Sequence, residues 1–217
     1  MESLQSQIAE FRKKFKALVT QDKAEIIEKG IAEQDLDRGL NGIAKVGDKV
    51  SDFSFRNVDD KEVLLSDCVK SGPVVLKFYR GGWCPYCNME LRSYQSIFPQ
   101  LEAIGVKIIA LSPEKFERAQ STFEKNQLTF FIGTDEGLRV AKSLGLVFKL
   151  SNDLRDLYSK FGHALSDTNS EGLWELPIPA TLIIGKDQRI SYVYANLDYR
   201  ERLEPLDVLE RLHQERS

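Results

Sequence analysis

The chain has 217 residues, 42% apolar and 29% charged, which is enough to bury a core and carries no signature of disorder. Lys and Arg number 30 against 33 Asp and Glu, and the net charge of −3 excludes the basic excess of a general nucleic-acid or anionic-membrane binder. No apolar run approaches the roughly 18 residues of a membrane span, and three cysteines with two histidines are too few for a disulfide scaffold or an easily assembled four-ligand metal site. The opening Met-Glu-Ser-Leu-Gln-Ser-Gln has neither a basic n-region nor an apolar h-region. The expected compartment is therefore the cytoplasm, where thiols stay reduced.

Residues 1–45 read as an N-terminal helical arm. Leu4, Ile8, Phe11, Phe15 and Leu18 recur at spacings of four and three, one face of an amphipathic helix. A second helix spans 21–34 with Ile27 and Ile31 on its apolar side, weakened by Gly30. The arm carries no chemistry. Its apolar face needs a cover, either within the chain or across a homodimer.

From residue 46 to 217 strands alternate with helices. Phe53 and Phe55 mark a short strand, and Ser66-Asp67 starts a helix. Residues 73–79 form a short apolar run, with the length and β-branching of a strand buried on both faces. Gly81-Gly82 ends it, and a helix follows with Met89, Tyr94, Phe98 and Leu101 on one side and Pro99 expected to kink it. Residues 106–111 and 128–132 read as strands. Ser112-Pro113-Glu114 reads as a helix start and 136–144 as a helix. Residues 146–176 are irregular apart from a helix near 153–161. Residues 181–184 and 190–194 form a hairpin, and a helix over 205–213 closes the chain. This order predicts an α/β fold, a mixed central sheet with helices on both faces.

The sharpest signal is Gly81-Gly82-Trp83-Cys84-Pro85-Tyr86-Cys87, where a buried strand gives way to a helix. Cysteines at i and i+3 on a helix N-terminus place both sulfurs on one side, within reach of a disulfide. The unpaired N–H groups and positive pole there favour thiolate, lowering a cysteine pKa to between roughly 3.5 and 7.5. Pro85 suits the first turn and restrains the backbone between the sulfurs. A zinc half-site would need two more ligands, and only Cys68, His163 and His213 remain, scattered along the chain. Cys68 reads as a small buried hydrophobe, with a resolving thiol as the alternative.

Other residues support this pair. Pro179-Ala180-Thr181 precedes the last hairpin, and a cis Ile178–Pro179 bond would set backbone groups against the sulfurs. Arg80 is the nearest cation in sequence, able to stabilise a thiolate or orient a peroxide, or simply solvated at a strand end. Lys77 lies inside the buried strand, either as a desolvated proton carrier or reaching out to solvent. Trp83 would shield the sulfurs.

Residues 74–87, together with Pro179-Ala180-Thr181, the opening Val46-Gly47-Asp48-Lys49-Val50-Ser51-Asp52-Phe53 and the strand–helix order of 46–212, resemble the thioredoxin-fold peroxiredoxins. The nearest resemblance is to the AhpC/TSA branch with a C-P-Y-C motif. It implies a thioredoxin-like fold and peroxide reduction by a thiolate: sulfenic acid forms, a second thiol resolves it to a disulfide, and a thioredoxin-type dithiol restores it. Laid on the family's strand, Cys87 takes the peroxidatic position, and Cys84 falls where ordinary members have Thr or Ser. Laid on thioredoxins, Cys84 is the nucleophile and Cys87 the resolver. Arg80 stands where the family has proline, Pro179 where it has arginine, and Ser51 where proline is usual.

The expected function is thus thiol-dependent reduction of hydrogen peroxide or alkyl hydroperoxides. Cys87 is the oxidised sulfur, Cys84 its resolving partner and Arg80 the assisting cation, with Trp83, Pro179 and Thr181 around the substrate. No metal, organic cofactor, nucleic acid or membrane is implied. A thiol–disulfide oxidoreductase using Cys84, and a non-enzymatic redox sensor, are the alternatives.

Overall fold

The computed structural model describes residues 2–37 and 40–215. Two helices lead, α1 (Leu4–Leu18) and α2 (Gln21–Asp37), followed by the small hairpin β1 (Ser54–Arg56) and β2 (Glu62–Leu64), and then α3 (Leu65–Ser71). The central units are β3 (Val74–Phe78), α4 (Pro85–Ala103), β4 (Lys107–Ser112), α5 (Phe116–Lys125), β5 (Phe131–Thr134) and α6 (Arg139–Ser143). Beyond them lie β6 (Val147–Lys149), α7 (Asn152–Lys160), α8 (Leu165–Thr168), β7 (Glu175–Pro177), β8 (Ala180–Ile184), β9 (Ile190–Ala195) and α9 (Pro205–Gln214). Among the described residues no helix is long and apolar enough to cross a membrane.

The main sheet has the order β5-β4-β3-β8-β9. β3 runs parallel to β4 and antiparallel to β8, so the sheet is mixed, as the element order predicts. β3 sits in the middle and is buried along its whole length. Its pleat divides the core. Val74, Leu76 and Phe78 face one apolar layer with α3, α6 and α7, whereas Val75 and Tyr79 face the other with α1, α4 and α9. Cys68 belongs to the first layer and both Cys84 and Cys87 to the second, so the sheet separates Cys68 from the dithiol. Burial pushes the Cys68 thiol up, in keeping with a structural residue.

The helical arm packs on its own chain. Leu4 and Ile8 are buried in the second layer, and the Leu4 and Gln5 amides donate to the Glu204 carboxylate at 3.2 and 2.7 Å. Gly30, a weak point for a helix in isolation, is where α2 crosses α7: a Cβ there would lie 2.3 Å from Leu154 Cδ1.

Several local expectations are corrected. Ser112-Pro113-Glu114 does not start a helix. Ser112 pairs with Thr134 in the sheet, Glu114 bridges to Asn169, and α5 begins only after Lys115. The helix expected over 136–144 is broken after its first turn, with Gly137 and Leu138 at positive φ. The Asp135 carboxylate accepts the Val140 and Ala141 amides at 2.9 Å each, which starts a new helix below the break. The strand expected from 128 starts at Phe131, and the region 146–176 holds an unforeseen β6–β7 pair. No cis peptide bond occurs among the described residues. Ile178 donates to the Leu146 carbonyl at 2.7 Å, and the Ile178–Pro179 bond keeps the ordinary trans form.

Candidate active site

The dithiol lies where β3 hands over to α4. Tyr79 still donates to Leu111 of the sheet, and the Cys84 amide then closes a turn onto the Gly81 carbonyl at 3.1 Å. Cys84 is the N-cap of α4, Pro85 opens the helix, and Cys87 sits one turn in. The turn is pinned on two sides. Asn88 Nδ2 donates to the Gly82 and Cys84 carbonyls at 2.7 and 3.0 Å, and Asn126 of the loop after α5 holds Asn88 Oδ1 at 2.8 Å. Gly82 is required here, because a Cβ would meet Thr122 Oγ1 at 2.0 Å.

Two guanidiniums flank the sulfurs, and their surroundings differ. Arg80 is 1% exposed. Its Nη1 lies 3.8 Å from Cys84 Sγ and its Nη2 donates to the Tyr158 hydroxyl. Its guanidinium lies 3.8 Å from the Tyr199 ring centre and 4.8 Å from that of Trp83. Among the described residues no carboxylate pairs with it. Arg202, in the segment before α9, places Nη2 3.6 Å from Cys87 Sγ, but its Nη1 is paired with Glu90 at 2.6 Å. Lys77, fully buried, donates to the same carboxylate at 2.8 Å and to Thr181 Oγ1 at 2.7 Å.

This layout sets the charge on each sulfur. Burial raises the Cys84 pKa, but a hydrogen bond from the Cys87 thiol and the Arg80 and Arg202 charges overcome it and bring the group to about 5. Burial, the hydrogen bond to Cys84 and the Cys84 charge push Cys87 up. The pair thus shares one proton, held on Cys87. Arg202 shares the Glu90 carboxylate with Lys77, whereas among the described residues no carboxylate pairs with Arg80 and the Cys84 sulfur lies beside it. Burial pulls Lys77 down against the pull of Glu90, and Glu90 stays ionised because Lys77 and Arg202 outweigh its burial.

Cys84, Arg80 and Trp83 form part of the wall of a cavity of about 200 Å³, completed by aromatic rings from α1, α4 and α7. Cys87, 0% exposed, does not line it. A larger cavity of about 860 Å³ lies elsewhere, between β1, α5 and α6. It holds no thiol, and its arginines are already paired, Arg56 with Asp60 and Arg139 with Glu136. Among the described residues no group of three or more His, Cys, Asp or Glu side chains is placed to hold a metal ion.

The AhpC/TSA family pattern matches residues 46–193. The chain belongs to the AhpC/TSA family. A thiol-disulfide oxidoreductase ResA of Bacillus thuringiensis subsp. konkukian is 24% identical over 161 residues, 74% of this chain and 75% of that one. A putative peroxiredoxin bcp of Helicobacter pylori is 28% identical over 97 residues, 45% of this chain and 63% of that one. The fold is that of the peroxiredoxins. The crystal structure of peroxidoxin BcpB from Mycobacterium tuberculosis superposes with a TM-score of 0.63 at 20% identity, covering 80% of this chain and 99% of that one.

In this AhpC/TSA member Cys84, Arg80 and Trp83 come together on one cavity wall, and Cys87 lies behind it, accepting from the Arg80 amide at 3.5 Å. Pro179 and Thr181 do not line that cavity: Thr181 serves Lys77, and Pro179 precedes the Ala180–Phe78 pair at the end of β3. Lys77 neither reaches solvent nor touches the cavity. His163 lies against the Trp83 ring, 5.3 Å between centres. Sequence reasoning missed Arg202, Glu90, Tyr158 and Tyr199. For Glu90 a signal existed, since it lies three residues after Cys87 on the buried side of α4. Arg202 stands 115 residues from Cys87 with no local mark. It brings a guanidinium to the thiol in a protein that has Pro179 in place of the family arginine.

Glu114 braces the turn from below, accepting the Gly82 amide at 2.7 Å. Burial raises its carboxyl to about 7, offset in part by that amide. A raised acid contributes stability that is complete below its unfolded value of 4.5 and lost as pH rises through 7. Between pH 5 and 8 the unfolding free energy is expected to fall by up to about 3 kcal/mol from this group. Urea unfolding of Glu114→Gln should show a decline smaller by that amount, and an unchanged decline would remove the assignment.

Proposed function

We propose that the protein is a thiol-dependent peroxidase in which peroxide oxidises Cys84 and Cys87 resolves the product. One observation carries this reading: a buried guanidinium, without a carboxylate partner among the described residues, lies beside the sulfur of the pair that lines the cavity. An unpaired buried cation is costly, and the Cys84 thiolate is the anion within reach. The charge that makes Cys84 nucleophilic thus also balances the fold.

The steps follow from the placement. The Cys84 thiolate attacks the outer peroxide oxygen, an S–O bond forms and the O–O bond breaks. The leaving oxygen departs as alcohol, or as water from hydrogen peroxide. With one proton taken up the sulfur becomes a sulfenic acid. Arg80 and the Tyr158 hydroxyl are placed to donate to the oxygens as charge moves onto them. Cys87 then attacks the sulfenic sulfur, an S–S bond forms, and water leaves with the Cys87 proton. An external dithiol, thioredoxin or a similar protein of the cytoplasm, reduces the disulfide. This order of attack reverses the one implied by laying the chain on the family's strand. The positioning of Cys84 at the cavity and the pairing of Arg202 with Glu90 support the reversal.

A second reading, thiol–disulfide exchange with protein substrates, is favoured by the likeness to the ResA oxidoreductase over 74% of the chain. Both readings use the Cys84 thiolate, and rate separates them. Reduced protein mixed with hydrogen peroxide is expected to lose thiols about 100-fold faster than a free thiol of equal pKa. With Cys84 near 5 the rate should be flat above pH 6 and fall about tenfold per unit below 5. A background rate with peroxide, together with reduction of insulin disulfides, would give the case to the second reading.

A further inference from the structure

The two cysteines are unbonded here, and the Cys84 sulfur lies 3.8 Å from Arg80 Nη1. Disulfide formation changes the electrostatics of this contact. Joining the sulfurs removes the Cys84 charge and leaves the guanidinium where it is. Arg80 is 1% exposed, its Nε has no hydrogen-bond partner, and no carboxylate among the described residues pairs with it. Glu90 is already engaged by Lys77 and Arg202. A water molecule would complete the hydrogen bonds but would not offset the charge, which is poorly screened among aromatic rings. The guanidinium lines the cavity of about 200 Å³ together with Trp83, Tyr158 and Tyr199. The Tyr158 hydroxyl accepts from Arg80, so its own proton is available to a further acceptor.

We propose that in the disulfide state this cavity binds one small, weakly hydrated monovalent anion, of the thiocyanate or iodide kind, held by Arg80 and the Tyr158 hydroxyl in place of the lost thiolate charge. The valence matches the single charge of Arg80. The weak hydration follows from the walls, which α1 completes with Phe11 and Phe15. An anion entering among rings gives up its water shell, and fluoride, sulfate and phosphate hold theirs too strongly. In the reduced protein the Cys84 thiolate fills the same role and excludes the anion. Binding and redox state are therefore linked: the anion stabilises the disulfide, and reduction by the dithiol donor expels it. The peroxidase and exchange readings both pass through this disulfide, so the site follows from either.

The test titrates thiocyanate into the oxidised and the reduced full chain by calorimetry, at an ionic strength held constant with sodium fluoride. The oxidised protein is expected to bind it saturably at one site, about tenfold or more tightly than the reduced protein. Thiocyanate should also make the disulfide harder to reduce. Each tenfold rise in its concentration above Kd should move the equilibrium with glutathione about tenfold toward the disulfide, about 30 mV more negative in potential. Arg80→Met should abolish binding to the oxidised protein. The double variant Cys84→Ser, Cys87→Ser, which has no thiolate in any state, should bind thiocyanate under reducing conditions as tightly as the oxidised wild type does. Cys84→Asp, which supplies its own carboxylate, should not bind it. The absence of saturable binding, equal binding to both redox states, or binding that survives Arg80→Met would each overturn the proposal. If Arg80→Met does not fold, the double serine variant decides, and no binding there ends the case. Slow oxidation by peroxide would sink the peroxidase reading and leave every one of these outcomes as stated.

Discussion

Replacing Arg80 by methionine is expected to slow the oxidation of the reduced protein by peroxide about 100-fold at pH 7. The guanidinium is sealed among Tyr158, Tyr199 and Trp83 without a carboxylate, so its field acts on the Cys84 sulfur with little screening. With the thiol near 5, almost all of Cys84 is thiolate at pH 7; without Arg80, burial pushes the thiol up against only the Cys87 hydrogen bond and Arg202, so the thiolate fraction falls, and the peroxide oxygens also lose a charged donor. Methionine suits the exchange because it fills an aromatic cage without charge. The same substitution should shift the disulfide's reduction potential. Oxidation removes the thiolate and leaves Arg80 without an anion, which favours the reduced form and makes the wild-type disulfide a strong oxidant. Each decade of thiolate population lost corresponds to about 30 mV, and the Arg80→Met potential is expected to be more negative accordingly. A thiol titration and a redox titration against glutathione measure the two effects. An Arg80→Met protein with an unchanged Cys84 titration would show that the guanidinium does not hold the thiolate.

The second large effect concerns stability. Lys77, Arg80 and Arg202 are three buried cations, and two of them, Lys77 and Arg202, depend on the Glu90 carboxylate. Glu90→Ala leaves Lys77 and Arg202 charged and unpaired on the inner face of α4. Removing one partner of a buried pair costs about 3–5 kcal/mol, which in a chain of this size lowers the melting temperature by about 10 °C. Replacing all three members by apolar residues of similar size, Lys77→Met with Glu90→Leu and Arg202→Met, should restore most of the loss, because no buried charge then remains unpaired. The triple variant would separate stability from function. If Glu90→Ala melts within 2–3 °C of wild type, the charges are not held as described.

Much of this architecture was legible in the residues. The apolar run 73–79 ended by Gly81-Gly82 announced a buried strand and a turn, and Cys84-Pro85-Tyr86-Cys87 announced the thiols at a helix start. The spacing of Leu4, Ile8 and Phe11 marked the face of α1 that is buried or lines the cavity. What failed were local signals overruled by distant ones. Ser112 and Pro113 look like a helix start, yet the sheet takes Ser112 and the active-site turn takes the Glu114 carboxylate. The apolar run around Lys77 placed it inside a buried strand, but its partner Glu90 belongs to another element and Arg202 to a third. An ion triad assembled from 77, 90 and 202 has no periodicity. The clue available was a carboxylate on an apolar helix face, and it called for a buried cation without saying which. The arm hid its role for the same reason, since an amphipathic helix reads alike whether it covers a core or walls a cavity.

The most direct test is to expose each single-cysteine variant of the pair to one equivalent of hydrogen peroxide and trap sulfenic acid with dimedone, locating the adduct by mass spectrometry. Cys87→Ser should be labelled on Cys84 at the wild-type rate of thiol loss, while Cys84→Ser should react no faster than an ordinary buried thiol. Rapid labelling of Cys87 in the Cys84→Ser protein, with Cys84 inert in the other, would contradict the assignment of the thiolate to the sulfur beside Arg80.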